Sequence, residues 1–115
     1  MGYRRTELRR KLVHAVLRGE KTTTTGLLDG REAPDLQPGA RLALLGFDDE
    51  PLGVVEVTDV RVVTAGQIDL QFARDEGEGF ESVEQWREAH ERFFEQSIDD
   101  DTQVVAVRFR LVERR

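Results

Sequence analysis

The sequence predicts an α+β domain built on a small, mostly antiparallel β-sheet or barrel flanked by helices. Three observations carry that expectation. Residues 6–18 and 82–96 have the apolar period of amphipathic helices, and residues 41–47, 52–63 and 103–112 have the valine-rich or alternating pattern of strands. The join between the first two strands is of hairpin length, which suits antiparallel neighbours rather than a doubly wound sheet.

The first helix, Thr6 to Arg18, places Leu8, Leu12, Val13, Ala15, Val16 and Leu17 on one broad arc, bordered by Arg9, Arg10, Lys11 and His14. Gly19 supplies its C-terminal cap. Next comes "EKTTTTG", where four β-branched residues between glycines mark the end of helix and either satisfy backbone groups in a loop or begin a strand. Pro38-Gly39 turns into a strand from Arg41 to Phe47, and Asp48 to Pro51 turns again. The Leu52 to Val63 strand is long, so a bend or bulge is expected near Thr58-Asp59. A short helix from Gln67 to about Asp75 buries Ile68 and Phe72 and closes on the glycines of "EGEG". Ser82-Val83-Glu84-Gln85 has the form of a capping box and opens a helix to about Gln96, with Val83, Trp86, Ala89, His90, Phe93 and Phe94 on its apolar side. In the closing strand Val105, Val107, Phe109 and Leu111 alternate with Ala106, Arg108 and Arg110, which predicts one wet face.

With 115 residues and no composition break, the chain is expected to be a single domain over 1–115. It has no cysteine, which removes disulfides, thiol nucleophiles and zinc–thiolate sites and fits a reducing, cytoplasmic setting. No apolar run approaches the roughly 18 residues of a membrane helix, so no membrane partner is expected. The net charge of −6 argues against a protein that coats long nucleic acid. Residues 1–41 nevertheless carry nine basic against five acidic side chains, and residues 42–115 eight against eighteen. That asymmetry leaves room for a nucleotide or a short oligonucleotide.

"EKTTTTG" holds the Lys-Thr pair of a P-loop but lacks its glycines, since Ala15 and Glu20 occupy those positions. Only Lys11 and Lys21 among seventeen basic residues are lysines. A lysine can lose its proton when desolvated and act as a base, which arginine cannot. A threonine hydroxyl in turn needs an adjacent base before it attacks a carbonyl. In a regular strand Lys21 and Thr24 would face opposite ways, so their cooperation calls for a turn. His90 reads as a core histidine with satisfied hydrogen bonds or as a ligand contact, and Trp86 as core or as a stacking edge at a cleft. Two histidines 76 positions apart make no metal cluster, and Asp99-Asp100-Asp101 reads as an acidic turn. No cofactor is called for.

Gly19-x-Lys21-x-x-Thr24, "FARDEGEG" and "WREAHERFF", in that order, resemble the ASCH-domain family over most of the chain. A Phe-Gly-Asp stretch that many relatives carry before the first helix is not present. The resemblance implies a PUA-like barrel with a cleft that binds RNA or a modified nucleoside. One similar branch holds amidohydrolases that remove the acetyl group from 4-N-acetylcytidine, using a lysine and a threonine three residues apart together with a glutamate. Lys21 and Thr24 match the pair; Glu76 is the best match for the glutamate, with Glu78 as the alternative. In that reading neutral Lys21 takes the Thr24 proton as Thr24 attacks the acyl carbon, and Glu76 assists the leaving group or orients the base. Candidate ligand contacts are Gly19, Thr22, Glu78, Trp86 and His90. Two other readings stand beside the amidohydrolase: a noncatalytic RNA- or nucleotide-binding module, and a ribonuclease on single-stranded RNA, a function another family member has.

Overall fold

A computed structural model of the protein describes residues 7–27 and 37–114. Helix α1 spans Glu7–Leu17, followed by strands β1 (Thr23–Leu27), β2 (Arg41–Leu45) and β3 (Pro51–Thr64). A 3₁₀ turn at Ala65–Gln67 leads to α2 (Leu70–Asp75), then α3 (Val83–Phe94) and β4 (Gln103–Arg114). The four strands form one antiparallel sheet in the order β1-β4-β3-β2, curled into a half-barrel, and the expected α+β class holds.

Local chemistry sets the element ends. Gly19 adopts φ +77° after α1, a conformation a glycine takes without steric cost. The long strand β3 shifts register between Val57 and Asp59, where a bulge was expected, and again between Val54 and Val55. Asp69 caps α2 by accepting from the Phe72 N–H at 2.8 Å, so the helix starts three residues later than its apolar pattern suggests. Ser82 accepts from the Gln85 N–H at 3.1 Å, but the Gln85 side chain turns to the Glu81 N–H at 2.8 Å, one residue beyond a reciprocal capping box. Helix α3 ends two residues early because Glu95 is left-handed (φ 55°) and the Glu91 carboxylate takes the Ile98 N–H at 2.8 Å.

The sheet is packed on both faces. Val104 and Ala106 point to the face covered by α2 and α3, where Phe72, Ala73, Trp86 and Ile98 complete a core. Val105 and Val107 point the other way and meet Val57, while Phe109 joins Leu44, Val55, Val13 and Val16 beneath α1. Val104 to Val107 are thus all buried, which corrects the expectation of one wet face along the whole of β4. The wet alternation survives only beyond Phe109, with Arg110 exposed and paired to Glu56 at 2.8 Å. A second correction falls on α3: Phe93, read as part of its buried arc, is 54% exposed.

Candidate functional site

Segment 19–22 is held on several sides before β1 begins. The Glu20 and Lys21 N–H groups both reach the Ala15 carbonyl (2.9 and 3.1 Å), capping α1. Thr22 donates its N–H to the Asp75 carbonyl at 2.7 Å and accepts from the Phe109 N–H at 3.0 Å. Alternation along β1 then buries Thr23 and Thr25 toward α2 and α3. The Thr23 hydroxyl donates to the Phe72 carbonyl at 3.0 Å, and the Thr25 hydroxyl to Glu76 Oε2 at 3.2 Å. The threonine run is therefore a strand whose buried hydroxyls satisfy an acceptor on α2 and one just past its end.

Glu76 is the centre of this network although it is a carboxylate only 2% exposed. Its Oε2 accepts from Thr25 and from the Trp86 indole N–H. Its Oε1 lies 3.2 Å from His90 Nε2 and 3.8 Å from Lys21 Nζ. A buried carboxylate persists only when so surrounded, because desolvation of an unpaired charge costs several kcal/mol or more. Gly77 explains how the chain turns here. It has φ +73°, and a Cβ would sit 2.8 Å from the Glu20 carbonyl oxygen and 2.9 Å from the Lys21 nitrogen. Only glycine lets the α2 terminus close on the Lys21 backbone.

His90 Nδ1 is 2.7 Å from the Trp86 carbonyl, an acceptor, so that nitrogen donates. With Nε2 facing a carboxylate, both ring nitrogens have acceptors, which favours the imidazolium. Burial opposes that charge, but the hydrogen bond and charge of Glu76, with the Trp86 carbonyl, outweigh it and raise the His90 pKa. Lys21 moves the other way. The residue is 2% exposed, and its amine donates to the Thr23 carbonyl at 2.8 Å and the Glu76 carbonyl at 3.4 Å. Burial lowers its pKa against the opposing pull of Glu76 and Glu78.

A cavity of about 330 Å³, at the low end of small-molecule sites, opens along the outer strand β1 between α1 and α3. Lys21, Thr24, Thr25, Glu76, Glu78 and His90 line its polar side. Leu8, Leu12, Ala89 and Phe93 form the apolar wall, with Arg92 beside them. Lys21 precedes β1 and Thr24 lies on it, so both reach one cavity despite the alternation that would part them within a strand. The expected residues Lys21, Thr24, Glu76, Glu78 and His90 therefore come together. Gly19 sits at the α1 cap, Thr22 is tied through its backbone, and Trp86 is fully buried, so none of these three lines the cavity. Thr25 and Phe93 were not anticipated in the site. Thr25 hid in a run of identical residues, and Phe93 in an apolar arc that α1 does not close over. Among the described residues no cluster of three potential metal ligands occurs, and no helix is long and apolar enough to cross a membrane.

A small antiparallel half-barrel with a cavity at its outer strand, polar on one side and apolar on the other and walled by the first and third helices, defines a PUA-like α+β domain. Residues 1–113 match the ASCH domain family, and the chain belongs to it. Its fold is similar to the ASCH domain from Lactobacillus crispatus JV V101, with TM-score 0.75 and 29% identity over 90% of this chain and 71% of that one. It is also similar to protein EF3133 from Enterococcus faecalis V583, with TM-score 0.76 and 25% identity over 92% and 72% of the two chains. The hypothetical protein PH0355 shares the fold at TM-score 0.66 and 18% identity, over 87% and 90%. No curated protein matches the chain.

Proposed function

We propose that this ASCH domain binds a modified nucleoside, free or in a short RNA, and hydrolyses an acyl amide on its base, as in 4-N-acylated cytidine. The observation that carries the reading is that Lys21 and Thr24 open on one cavity while the Lys21 amine is buried and its pKa lowered. The carbonyls of Thr23 and Glu76 accept two hydrogens from Nζ, as many as a neutral amine has, which leaves a lone pair for a proton. The His90 imidazolium beside Glu76 balances the carboxylate that would otherwise hold Lys21 charged. Lys21 is then the base, Thr24 the nucleophile, and Glu76 the buried anion that fixes the Lys21 loop against α3.

Release of cytidine from a panel of 4-N-acylcytidines by the purified protein tests this. The parent should turn over at least one of them, and Lys21→Arg and Thr24→Val should not. No release from any member of the panel sinks the enzyme reading. A second reading, the noncatalytic nucleotide- or RNA-binding module, is favoured by the exposed Phe93 ring at the cavity wall, on which a base can stack. There Lys21→Arg retains affinity and no acyl group is released. Chelator-sensitive cleavage of single-stranded RNA would instead support the ribonuclease.

A further inference from the structure

Two glutamates, Glu76 and Glu78, line the cavity two residues apart, and the chain gives them different surroundings. Both Glu76 oxygens are occupied, Oε2 by Thr25 and Trp86 and Oε1 by His90 with Lys21 alongside. Turning Glu76 toward a ligand would leave an indole N–H and a hydroxyl unpaired in the core, which costs about 1–3 kcal/mol for each group. Gly77 separates the two. Its φ of +73° and its seat against the Glu20–Lys21 backbone fix the turn after which Glu78 stands half-buried on the cavity wall.

Resting on the amidohydrolase reading, we propose that Glu78, not Glu76, is the catalytic acid that protonates the departing base nitrogen. Glu76 is then a positioning residue that works through Lys21 and His90. Burial raises the Glu78 pKa above the ordinary carboxyl value and the Glu76 charge adds to it, while Lys21, His90 and Lys11 pull it back. Arg92 of α3 is a further charged group on the same wall. A protonated carboxyl is what an amide needs, because an amide nitrogen leaves poorly as an anion.

The step balances as follows. Thr24 Oγ1 bonds to the acyl carbon and its proton passes to Lys21 Nζ. The carbon–nitrogen bond breaks as the Glu78 carboxyl proton moves to the leaving N4 nitrogen, giving free cytidine and acyl-threonine. Water then attacks the acyl carbon, giving one proton to the Glu78 carboxylate, while the Lys21 proton returns to the Thr24 oxygen. Carboxylic acid leaves and every group is restored.

The test uses leaving-group dependence on the purified chain, with 4-N-acetylcytidine and 4-nitrophenyl acetate as probes. A nitrophenolate departs without a proton, so under single-turnover conditions Glu78→Gln should slow cytidine release from the amide by about a hundredfold or more and the nitrophenolate burst from the ester by less than about threefold, while steady-state kcat falls on both because Glu78 also takes the water proton in deacylation. The fall of kcat with rising pH on the amide should vanish in Glu78→Gln and persist, at lower rate, in Glu78→Asp. Thermal unfolding reports whether Glu78→Gln is folded; if it is not, the Glu78→Asp profile decides alone. Equal loss of single-turnover leaving-group release on both probes, no loss on either, or a selective amide defect in Glu76→Gln overturns the assignment and leaves the amidohydrolase intact. A parent inactive on both probes overturns the reading beneath it.

Discussion

His90 Nε2 lies 3.2 Å from Glu76 Oε1 while its other ring nitrogen donates to the Trp86 carbonyl, so the imidazole bridges helix α3 and the end of α2. Because the folded pKa of His90 is raised, the native state holds its proton to higher pH than the unfolded chain does. The stabilisation is complete below the ordinary histidine value near pH 6.5 and is lost as pH rises through the folded value. Urea unfolding of the parent and His90→Gln from about pH 5 to about pH 9 should show the difference largest on the acid side and shrinking above neutrality. Glu78, also raised, adds a slope of the same sign, which His90→Gln enlarges by removing one of the charges that pull the Glu78 pKa back.

Glu76→Gln should be more damaging to stability than any surface change. It leaves His90 and Lys21 without their anion and puts an NH₂ group among four donors. Breaking a buried ion pair from one side costs about 3–5 kcal/mol. The urea midpoint should fall accordingly, and Trp86→Phe, which removes one donor, should cost less.

Gly77 and Gly79 both have positive φ, yet their environments differ. Gly77→Ala meets the Glu20 carbonyl at 2.8 Å as well as backbone strain, whereas Gly79→Ala meets nothing within 4 Å. Gly79→Ala should cost about 1 kcal/mol from strain alone, and Gly77→Ala clearly more. Thermal unfolding of the two variants side by side checks the order.

Adjacent threonines should separate stability from turnover. Thr25→Val deletes a buried hydroxyl that donates to Glu76 and should lower stability by about 1–2 kcal/mol. Thr24→Val should abolish acyl release while moving the unfolding midpoint far less. A Lys21→Arg/Thr24→Val double variant should be hardly slower than either single one, since the two act in one step.

Phe93 is exposed on the cavity wall, so Phe93→Ala should change stability by less than about 0.5 kcal/mol. If a base stacks there, nucleoside binding should weaken by about 1–3 kcal/mol in calorimetric titration. Unchanged affinity would remove Phe93 from the ligand.

Much of the fold was legible in the sequence. Helix α3, the Gly19 cap and the β3 bulge were each marked by a residue with few alternatives, a serine cap, a left-handed glycine and a strand too long to stay regular. The threonine run reads equally as loop or strand because the strand it pairs with, β4, lies some eighty residues away, and local propensity cannot report such a contact. Lys21 stood out by its rarity, but nothing local distinguishes Thr25 from its three neighbours. Its role depends on α2 ending at Glu76. Phe93 fits a buried arc as well as Phe94 does; only the packing of neighbouring elements decides which ring stays in water.

The strand order β1-β4-β3-β2 has a kinetic consequence. β4, made after every other strand, occupies an inner place and pairs with both β1 and β3. During synthesis the strand ladder of Thr23 to Leu27 therefore forms only once Val104 to Arg108 have emerged. The cavity, whose threonines sit on β1, cannot close before then, and ordering so many distant pairings slows the search. A nascent chain halted before Gln103 would hold α1 and the β2–β3 hairpin but no seat for β1, exposing apolar strand surface of the kind chaperones bind.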